Sequence, residues 1–426
     1  MKKVLIITYY WPPSGGAGVQ RSVKFVKYLR AFQIEPIVLT VNPDQASYPV
    51  IDESLVQEIA KDQEVHRTRS FEALRVVEKL FGKKHIPTSG FSNKSKGGVL
   101  SWGLRFLRGN LFLPDARKGW VSHAFKEAKR LIEEKQIDTV FISSPPHSSQ
   151  LIGLKLKKRF PHIKWVADMR DPWTDIYYYP ELLVTPLMKR FDKHLERKVL
   201  NTADEIVVVS DAIKRLFASK IQHQNATKIH VIPNGYDEAD FPNERSVNIK
   251  SVKRITYVGT MADSYVPDVF FKVLNELQNE EPALKFELQF VGSVSQHIRE
   301  QLQAYGLPVQ FIAHVPHAEA IRHMLDASIL FLAIPAVPDA EGILTGKLFE
   351  YLACQRPIVA LGPEHGDAAA ILRSTEAGRM FDRENTIGLK AYIKELLSTE
   401  SLVSSNNSVS QFERKALTEK LSKILR

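Results

Sequence analysis

Short apolar segments alternate along this chain with longer segments whose apolar residues recur every three or four positions. The first pair shows the pattern. Val4–Tyr9 is a run of branched and aromatic residues, and Ser22–Phe32 then places its apolar residues at helical spacing. Such alternation predicts β-strands joined by helices, which is the arrangement of a parallel sheet covered by helices on both faces. The sequence therefore predicts an α/β fold.

The alternation occurs twice, so we predict two doubly wound α/β domains. Their predicted strands are Val4–Tyr9, Ile37–Val41, Thr139–Ser143, Lys164–Asp168, Glu205–Ser210 and Lys228–Pro233, then Arg254–Val258, Phe286–Val291, Val309–Ile312, Ile329–Leu332 and Pro357–Leu361. Between the two sets lies a polar stretch with Pro242, Asn243 and Asn248, which is typical of a linker. We place the domains at 1–240 and 252–405, the linker at 241–251 and a terminal helix at 406–426.

Composition excludes several classes of protein. The 426 residues are 44% hydrophobic and 25% charged, the balance of a globular chain. The longest apolar run, Ser328–Val337, is about half of the roughly 18 residues that span a bilayer. The apolar start reaches Trp11-Pro12-Pro13 too early for a signal peptide, so we interpret it as a strand. The single Cys354 excludes an intrachain disulfide and a cysteine-based zinc site, and we expect a cytoplasmic enzyme.

Positive charge is concentrated in the first half of the chain. Residues 1–240 hold 38 basic and 26 acidic residues, whereas residues 241–426 hold 20 and 22. This asymmetry indicates either a basic solvated surface or an anionic partner, which could be a membrane surface, a nucleic acid or a phosphorylated substrate.

One basic segment is suited either to a membrane surface or to packing on its own domain. Lys83–Lys118 carries eight Lys or Arg residues and a single acid. Leucines recur there at helical spacing, with Trp102, Arg105 and Arg108 among them. A basic amphipathic helix with aromatic residues can lie in a lipid headgroup layer, although its leucine stripe could equally pack on its own domain. Nucleic acid is disfavoured because no helix-turn-helix, zinc or RNA-recognition signature is present.

Candidate functional residues follow the predicted strands, because open parallel sheets bind ligands at the carboxyl ends of their strands. The first group is the loop Ser14–Gly18, whose Gly15 and Gly16 would let the backbone approach a phosphate or sugar at a helix N-terminus. A dinucleotide-binding fingerprint would have Gly or Ala at the position of Arg21, which counts against a nicotinamide or flavin enzyme. The alternative is a turn without function.

Two further groups in the first half are candidates for acid–base chemistry or for contact with a sugar. His147 lies in the loop after one strand and could serve as an acid, a base or a hydrogen-bond donor, or could simply be solvated. Arg170 and Asp171 follow the next strand, next to Asp168. They could face a reacting group, or an Asp–Arg pair could fix the loop.

The most informative group lies in the second half, in the segment Glu341–Ala353. A helix is predicted over Leu348–Cys354, with Thr345 and Gly346 at its mouth. Lys347 in the first turn would meet a diphosphate together with the helix dipole, and Glu350 one turn later could accept hydrogen bonds from ribose hydroxyls.

This segment and its continuation, Arg356-Pro357-Ile358-Val359-Ala360, resemble the nucleotide-sugar-binding region of the GT-B glycosyltransferases, family 4 in particular. Other resembling motifs occur in the family's order: Gly15-Gly16, Ile232–Asp237, Tyr257-Val258-Gly259 and Ala327-Ser328-Ile329. The resemblance implies two facing Rossmann-like domains and a C-terminal helix.

The resemblance also implies a function. It is that of a retaining, metal-independent hexosyltransferase without a cofactor, whose co-substrate is a UDP- or GDP-linked sugar bound by the C-terminal domain. The acceptor would be a glycan or a lipid-linked glycan on the N-terminal domain, in bacterial surface polysaccharide or glycoconjugate synthesis. The basic first half would hold the enzyme on the anionic inner membrane surface, and no nucleic acid would bind.

Carried over residue by residue, the resemblance makes Glu350 the second Glu of the family's Glu-x7-Glu motif. The donor would meet Gly15, Gly16, Gly259 and Thr260, and also the helix mouth at Thr345, Gly346 and Lys347. The position of the first motif Glu is Gly342, so Glu341 is one residue away.

Two more departures change the expected roles. The family's Arg and Lys after the donor-domain glycine are missing after Gly259, so we expect Lys347 to supply that charge. Many members have a His where this chain has Arg170, which leaves Arg170, Asp171 and His147 as candidates for the sugar contact. Two other functions stay open: a nucleotide-sugar epimerase of GT-B shape, and a non-catalytic nucleotide-sugar-binding protein.

Overall fold

The computed structural model describes residues 1–72, 103, 106, 109–242, 252–399 and 407–426. The chain divides into two compact units. The N-terminal unit comprises Met1–Pro233 and Arg414–Arg426, and the C-terminal unit comprises Asn234–Glu413. Apart from residues 241 and 242, the predicted linker lies outside the described residues.

The N-terminal unit is built on a parallel sheet of seven strands in the order β3-β2-β1-β4-β5-β6-β7. The strands are β1 (Lys2–Thr8), β2 (Ile34–Val41), β3 (Val65–Thr68), β4 (Thr139–Ser144), β5 (Lys164–Met169), β6 (Glu205–Val208) and β7 (Ile229–Val231). All residues of β4 are buried, as are five of the seven in β1, because helices cover both faces of the sheet.

In the described part of this unit, five helices follow its strands. They are α1 (Ala17–Leu29), α2 (Val121–Lys135), α3 (Gln150–Arg159), α4 (Pro186–Thr202) and α5 (Asp211–Ala218). The first lies against the core through Val23 and Phe25, and the ring of Phe25 meets that of Phe141 edge to face.

The C-terminal unit has a parallel sheet of six strands in the order β10-β9-β8-β11-β12-β13. The strands are β8 (Lys253–Val258), β9 (Phe286–Val291), β10 (Val309–Ile312), β11 (Ile329–Ala333), β12 (Ile358–Leu361) and β13 (Gly378–Phe381). The helices are α6 (Asp268–Glu280), α7 (Gln296–Ala304), α8 (His317–Leu325), α9 (Gly346–Cys354), α10 (Asp367–Ser374) and α11 (Thr386–Ser398). Phe270 of α6 stacks on Phe331 of β11, with ring centroids 3.8 Å apart.

The last helix, α12 (Arg414–Leu425), belongs to the N-terminal unit. Its Leu417, Leu421 and Leu425 are fully buried in the same core as Val23 of α1. Helices α1 and α12 therefore pack in the same hydrophobic core of the N-terminal unit.

The predicted fold class is confirmed: both units are Rossmann-like, with parallel sheets and helices. The sequence did not predict β3 and β13, since both are four-residue strands whose burial is incomplete and which carry Arg67 and Arg379. In both sheets the strand order reverses next to the first strand, between β1 and β4 and between β8 and β11. The carboxyl ends of these pairs are where such sheets bind ligands.

No helix in the described part of the chain is both long enough and apolar enough to span a bilayer. The predicted membrane-facing residues Trp102, Arg105 and Arg108 lie outside the described residues.

Candidate active site

The glycine loop after β1 has only one exposed glycine. The Gly15 amide donates to the Val50 carbonyl (2.9 Å), and a Cβ on Gly15 would lie 2.8 Å from Cβ of Asp52. Gly15 therefore serves the packing of two loops, and its amide already has the Val50 carbonyl as a partner. The predicted contact of Gly15 with the donor stays a prediction. Gly16 is exposed, has φ +102° and precedes the first residue of α1.

Asp168, at the end of β5, is the centre of a buried network that the sequence did not predict. Arg21 of α1 donates to both carboxylate oxygens of Asp168, with its Nη2 2.9 Å from Oδ1. The same guanidinium donates to the Pro233 carbonyl (2.9 Å), and the Ser143 hydroxyl donates to Oδ2 (2.8 Å). Both side chains of the Arg21–Asp168 ion pair are fully buried. The pair ties α1 to the ends of β4 and β5 and to the segment after β7.

Arg170 fixes the loop after β4 to the loop after β5. Its Nε donates to the Ser144 carbonyl (3.0 Å) and its Nη2 to the Pro145 carbonyl (3.1 Å). The guanidinium lies against Gly18, where a Cβ would come within 2.0 Å of Nη1. Burial lowers the pKa of Arg170 and raises that of the neighbouring Asp171. Contact of either residue with a sugar stays a prediction.

His147 lies in the loop after β4, and its ring is neutral. It stacks on Trp173 with ring centroids 5.0 Å apart and an interplanar angle of 10°. Burial, then the charges of Arg170 and Lys220, lower the pKa of His147 to about 3. Its Nδ1 is buried without a hydrogen-bond partner among the described residues. His147 can therefore donate or accept a hydrogen bond near pH 7, but it does not titrate there.

Two inward-facing acids of α4 hold the loop that carries Trp173. Asp192 accepts from Trp173 Nε1 (2.9 Å) and from the Tyr179 hydroxyl (2.8 Å). Glu196, one turn later, accepts from Lys220 (2.8 Å). Both acids are buried, and burial raises the pKa of Asp192 to about 6. Apart from the helical spacing of the two acids, no sequence signal pointed to these contacts.

In the C-terminal unit, Lys347 lies in the first turn of α9, whose N-cap is Thr345 and whose first residue is Gly346. Its Nζ donates to the Tyr257 hydroxyl (2.6 Å) and lies 4.2 Å from the centroid of that ring. The ring of Tyr265 is 5.7 Å away. Burial lowers the pKa of Lys347 to about 7, although Glu350 acts in the opposite direction.

Glycines bring the ends of β8 and β9 close to this lysine. Gly259 has φ +120°, and a Cβ there would lie 3.1 Å from Lys347 Nζ. Gly292 has φ +119°, and a Cβ there would lie 2.5 Å from the Gly259 carbonyl oxygen. Both angles favour glycine. Thr260 is exposed, and its carbonyl accepts from the Tyr257 hydroxyl (2.7 Å).

Glu350 and Glu341 have different surroundings. Glu350 is partly buried, and its Oε1 lies 2.9 Å from Nε2 of His317, the first residue of α8. Glu341 is exposed in a short 3-10 turn, and its backbone packs beside Gly366. The hydroxyl of Thr345 is buried without a partner in the described part of the chain.

In the C-terminal unit, Lys347 thus lies beside Gly259 and bonds to Tyr257, and Glu350 pairs with His317 one turn later on α9. Sequence reasoning missed the roles of Tyr257 and His317. A tyrosine just before the strand-end glycine was visible in the sequence, but its hydroxyl could not be assigned to Lys347, which is 90 positions away. Lys347 lies against Gly259 at the carboxyl end of β8, one of the two strands between which the strand order reverses, and this position is suited to an anionic ligand.

Two family models match the chain. Glycosyltransferase Family 4 matches residues 88–240, and Glycosyl transferases group 1 matches residues 252–399. Together they cover most of the chain, and residues 1–87, 241–251 and 400–426 lie outside the two matches. The chain belongs to the GT-B glycosyltransferases.

Solved structures share the fold of this glycosyltransferase. The lipopolysaccharide outer core galactosyltransferase WaaB is 13% identical, with a TM-score of 0.57 over 99% of this chain and 98% of that one. The α,α-trehalose 6-phosphate synthase of Burkholderia multivorans is 14% identical, with a TM-score of 0.60 over 100% and 96%. A mutant of S. aureus TarM in complex with fondaparinux, α-GlcNAc-glycerol and UDP is 10% identical, with a TM-score of 0.55 over 100% and 97%. No curated protein matches the chain.

Proposed function

We propose that this glycosyltransferase moves a hexosyl group from a UDP- or GDP-linked sugar to a glycan or lipid-linked acceptor, with retention of configuration and without a metal ion. Retention and metal independence are carried over from the family resemblance. The proposed setting is the synthesis of a surface polysaccharide or glycoconjugate at the inner face of the membrane.

The observation that carries the proposal is the position of Lys347. A lysine in the first turn of α9 lies against a strand-end glycine, with two tyrosine rings beside it. Its lowered pKa reflects a burial cost that an anionic ligand would remove, since a nearby negative charge favours the protonated amine. Sugars linked to a nucleoside diphosphate present such a charge.

The mechanism follows from where charge develops. The bond between the anomeric carbon and a diphosphate oxygen breaks, the acceptor hydroxyl oxygen bonds to that carbon, and the hydroxyl proton passes to the departing diphosphate oxygen. Negative charge grows on the diphosphate, where the ammonium of Lys347 and the first amides of α9 stabilise it. Glu350, held by His317 at one oxygen, would accept from a ribose hydroxyl with the other.

The N-terminal unit would supply the acceptor side. His147 is neutral and partly exposed, so we assign it a hydrogen bond to a sugar hydroxyl rather than proton transfer. Arg170 orients the loop that carries it through two backbone carbonyls. Asp171 remains a candidate for the same contact.

An epimerase of GT-B shape would need no acceptor, and a binding protein would turn over no donor. The family models that match are those of glycosyltransferases, and they favour a transferase over both alternatives. Release of an isomer without any acceptor would identify the epimerase.

Substitution of Lys347 tests the proposal. Losing one charge-stabilising donor typically costs about 3 kcal/mol of barrier, so Lys347→Ala should lower the turnover of the cognate donor at least tenfold. Donor turnover would be measured by nucleoside diphosphate release, after nucleotide sugars have been screened by thermal shift for one that binds.

Lys394→Ala is the matched control, because Lys394 lies on the same unit and is paired with Glu281 on the surface. It should leave turnover unchanged. Unchanged turnover in a folded Lys347→Ala protein would remove Lys347 from the mechanism.

A further inference from the structure

The exposed side of α4 carries only positive charge. Arg190, Lys193, Arg197 and Lys198 are all exposed. The two acids of this helix, Asp192 and Glu196, are buried and hydrogen-bonded inside the unit, so they do not offset these cations at the surface. None of the four cations forms an ion pair with a carboxylate in the described ranges.

Two large apolar side chains project from the same side of the helix. Leu187 is 70% exposed and Phe191 is 49% exposed. They are four residues apart and so lie on one face, in line with the basic residues. We call the set Leu187, Arg190, Phe191, Lys193, Arg197 and Lys198 the α4 face.

A second apolar pair lies next to the start of α4. The Thr185 amide donates to Asn110 Oδ1 (2.9 Å), and Asn110 Nδ2 donates to the Leu183 carbonyl (3.1 Å). These bonds hold the segment with Phe106 (37% exposed) and Leu111 (59% exposed) against the residues that precede α4. The apolar exposure thus extends beyond the helix itself.

We propose that the α4 face is a docking surface for an anionic lipid bilayer. Leucine and phenylalanine would enter the boundary between headgroups and acyl chains, and the cations around them would meet lipid phosphates. A purely solvated basic surface would have no reason to expose Leu187, and a nucleic-acid backbone offers little to an aliphatic side chain. The combination favours a membrane surface.

This inference depends on the proposed function in one respect: membrane binding would hold the enzyme where a lipid-linked acceptor would be. Binding to vesicles needs neither donor nor acceptor. A wild-type protein that binds a nucleotide sugar but does not bind anionic vesicles would overturn the docking surface alone. A wild-type protein that binds the vesicles but no nucleotide sugar would overturn the proposed function alone.

The test is sedimentation of the full chain with vesicles of phosphatidylcholine, with and without phosphatidylglycerol, at low and high salt. A basic side chain near an anionic surface strengthens binding by roughly fivefold. The triple variant Arg190→Gln, Lys193→Gln, Arg197→Gln should therefore bind on the order of 100-fold more weakly to anionic vesicles. The wild type should lose binding without phosphatidylglycerol and should lose most of it at high salt.

Two controls test whether vesicle binding depends on the α4 face itself and not on exposed cations or apolar side chains elsewhere in the protein. The variant Lys415→Gln, Lys420→Gln, Lys423→Gln removes three exposed cations from α12 of the same unit and should bind like the wild type. Leu187→Ser should weaken binding, whereas Ile387→Ser, at a residue that is 86% exposed in the C-terminal unit, should not.

Because all these side chains are exposed, circular dichroism and the melting temperature should be unchanged in every variant. The proposal would be overturned if the wild type bound vesicles equally well with and without phosphatidylglycerol. It would also be overturned if the α4 and α12 triple variants bound anionic vesicles equally well.

Discussion

Lys347 lies where a lysine loses much of its preference for the protonated form. Burial brings its pKa to about 7, whereas an unfolded lysine titrates near 10.4. Between these values the unfolded chain holds a proton that the folded chain lacks. Stability rises with pH wherever the unfolded state binds more protons, so the destabilising effect of Lys347 should fade as the pH rises from 7 toward 10.

Lys347→Met removes this titration and gives a prediction. The unfolding free energy of the wild type should rise relative to that of the variant by up to about 1.4 kcal/mol per pH unit above pH 7. Calorimetric melting of both proteins at pH 7 and pH 9 measures the difference. A gap that stays constant between the two pH values would mean that Lys347 remains charged in the folded protein.

The single residues predicted as functional show which structural features a sequence can assign to a residue and which it cannot. Lys347 and Glu350 were predicted at a helix start, which carries its own sequence signal, and the structure places them one turn apart on α9. Their contacts with a donor stay predictions. The roles of Gly15 and Arg170 depended on Val50 and Ser144, which come near only in the folded chain. Residue type and spacing do not encode such partners.

Among the elements, the strand ends of the N-terminal unit depend on one ion pair. Removing one partner of a buried pair leaves the other charge uncompensated and typically costs 3–5 kcal/mol, whereas replacing both partners costs much less. Arg21→Met and Asp168→Asn should each lower the unfolding free energy by roughly that amount. The double variant should lose clearly less than the sum.

Tryptophan fluorescence in a urea titration can follow this cycle. All five tryptophans lie in the first 240 residues, so the signal reports the N-terminal unit. Ser219→Ala, at a hydroxyl bonded within its own turn, is a control that should change little. Strict additivity of the two single substitutions would show that the pair does not act as a unit.

Element prediction succeeded for two strands in which apolar residues are interspersed with polar ones. Phe286–Val291 and Val309–Ile312 form strands with the predicted bounds. The start of α1 lies five residues before the predicted Ser22, because Gly16 caps the helix and Ala17 and Gly18 of the glycine loop already belong to it. The short strands β3 and β13 could not be predicted, since pairing with a neighbour decides them.

For the chain as a whole, the alternation of strands and helices was enough to predict two Rossmann-like units. The strand orders were not predicted. The packing of α12 in the N-terminal core was not predicted either, because the spacing of its leucines does not indicate which core they pack in. The uneven charge did indicate a basic first half, and α4 of that half presents exposed cations.

The central claim is that a nucleoside diphosphate sugar binds in the C-terminal unit at the start of α9. Hydrogen–deuterium exchange, with and without UDP-glucose, UDP-N-acetylglucosamine or GDP-mannose, tests it most directly. At least one donor should slow exchange in the segments 257–265 and 345–351, and Lys347→Ala should weaken that protection. Unchanged exchange in both segments, with a donor that demonstrably binds the protein, would contradict the claim.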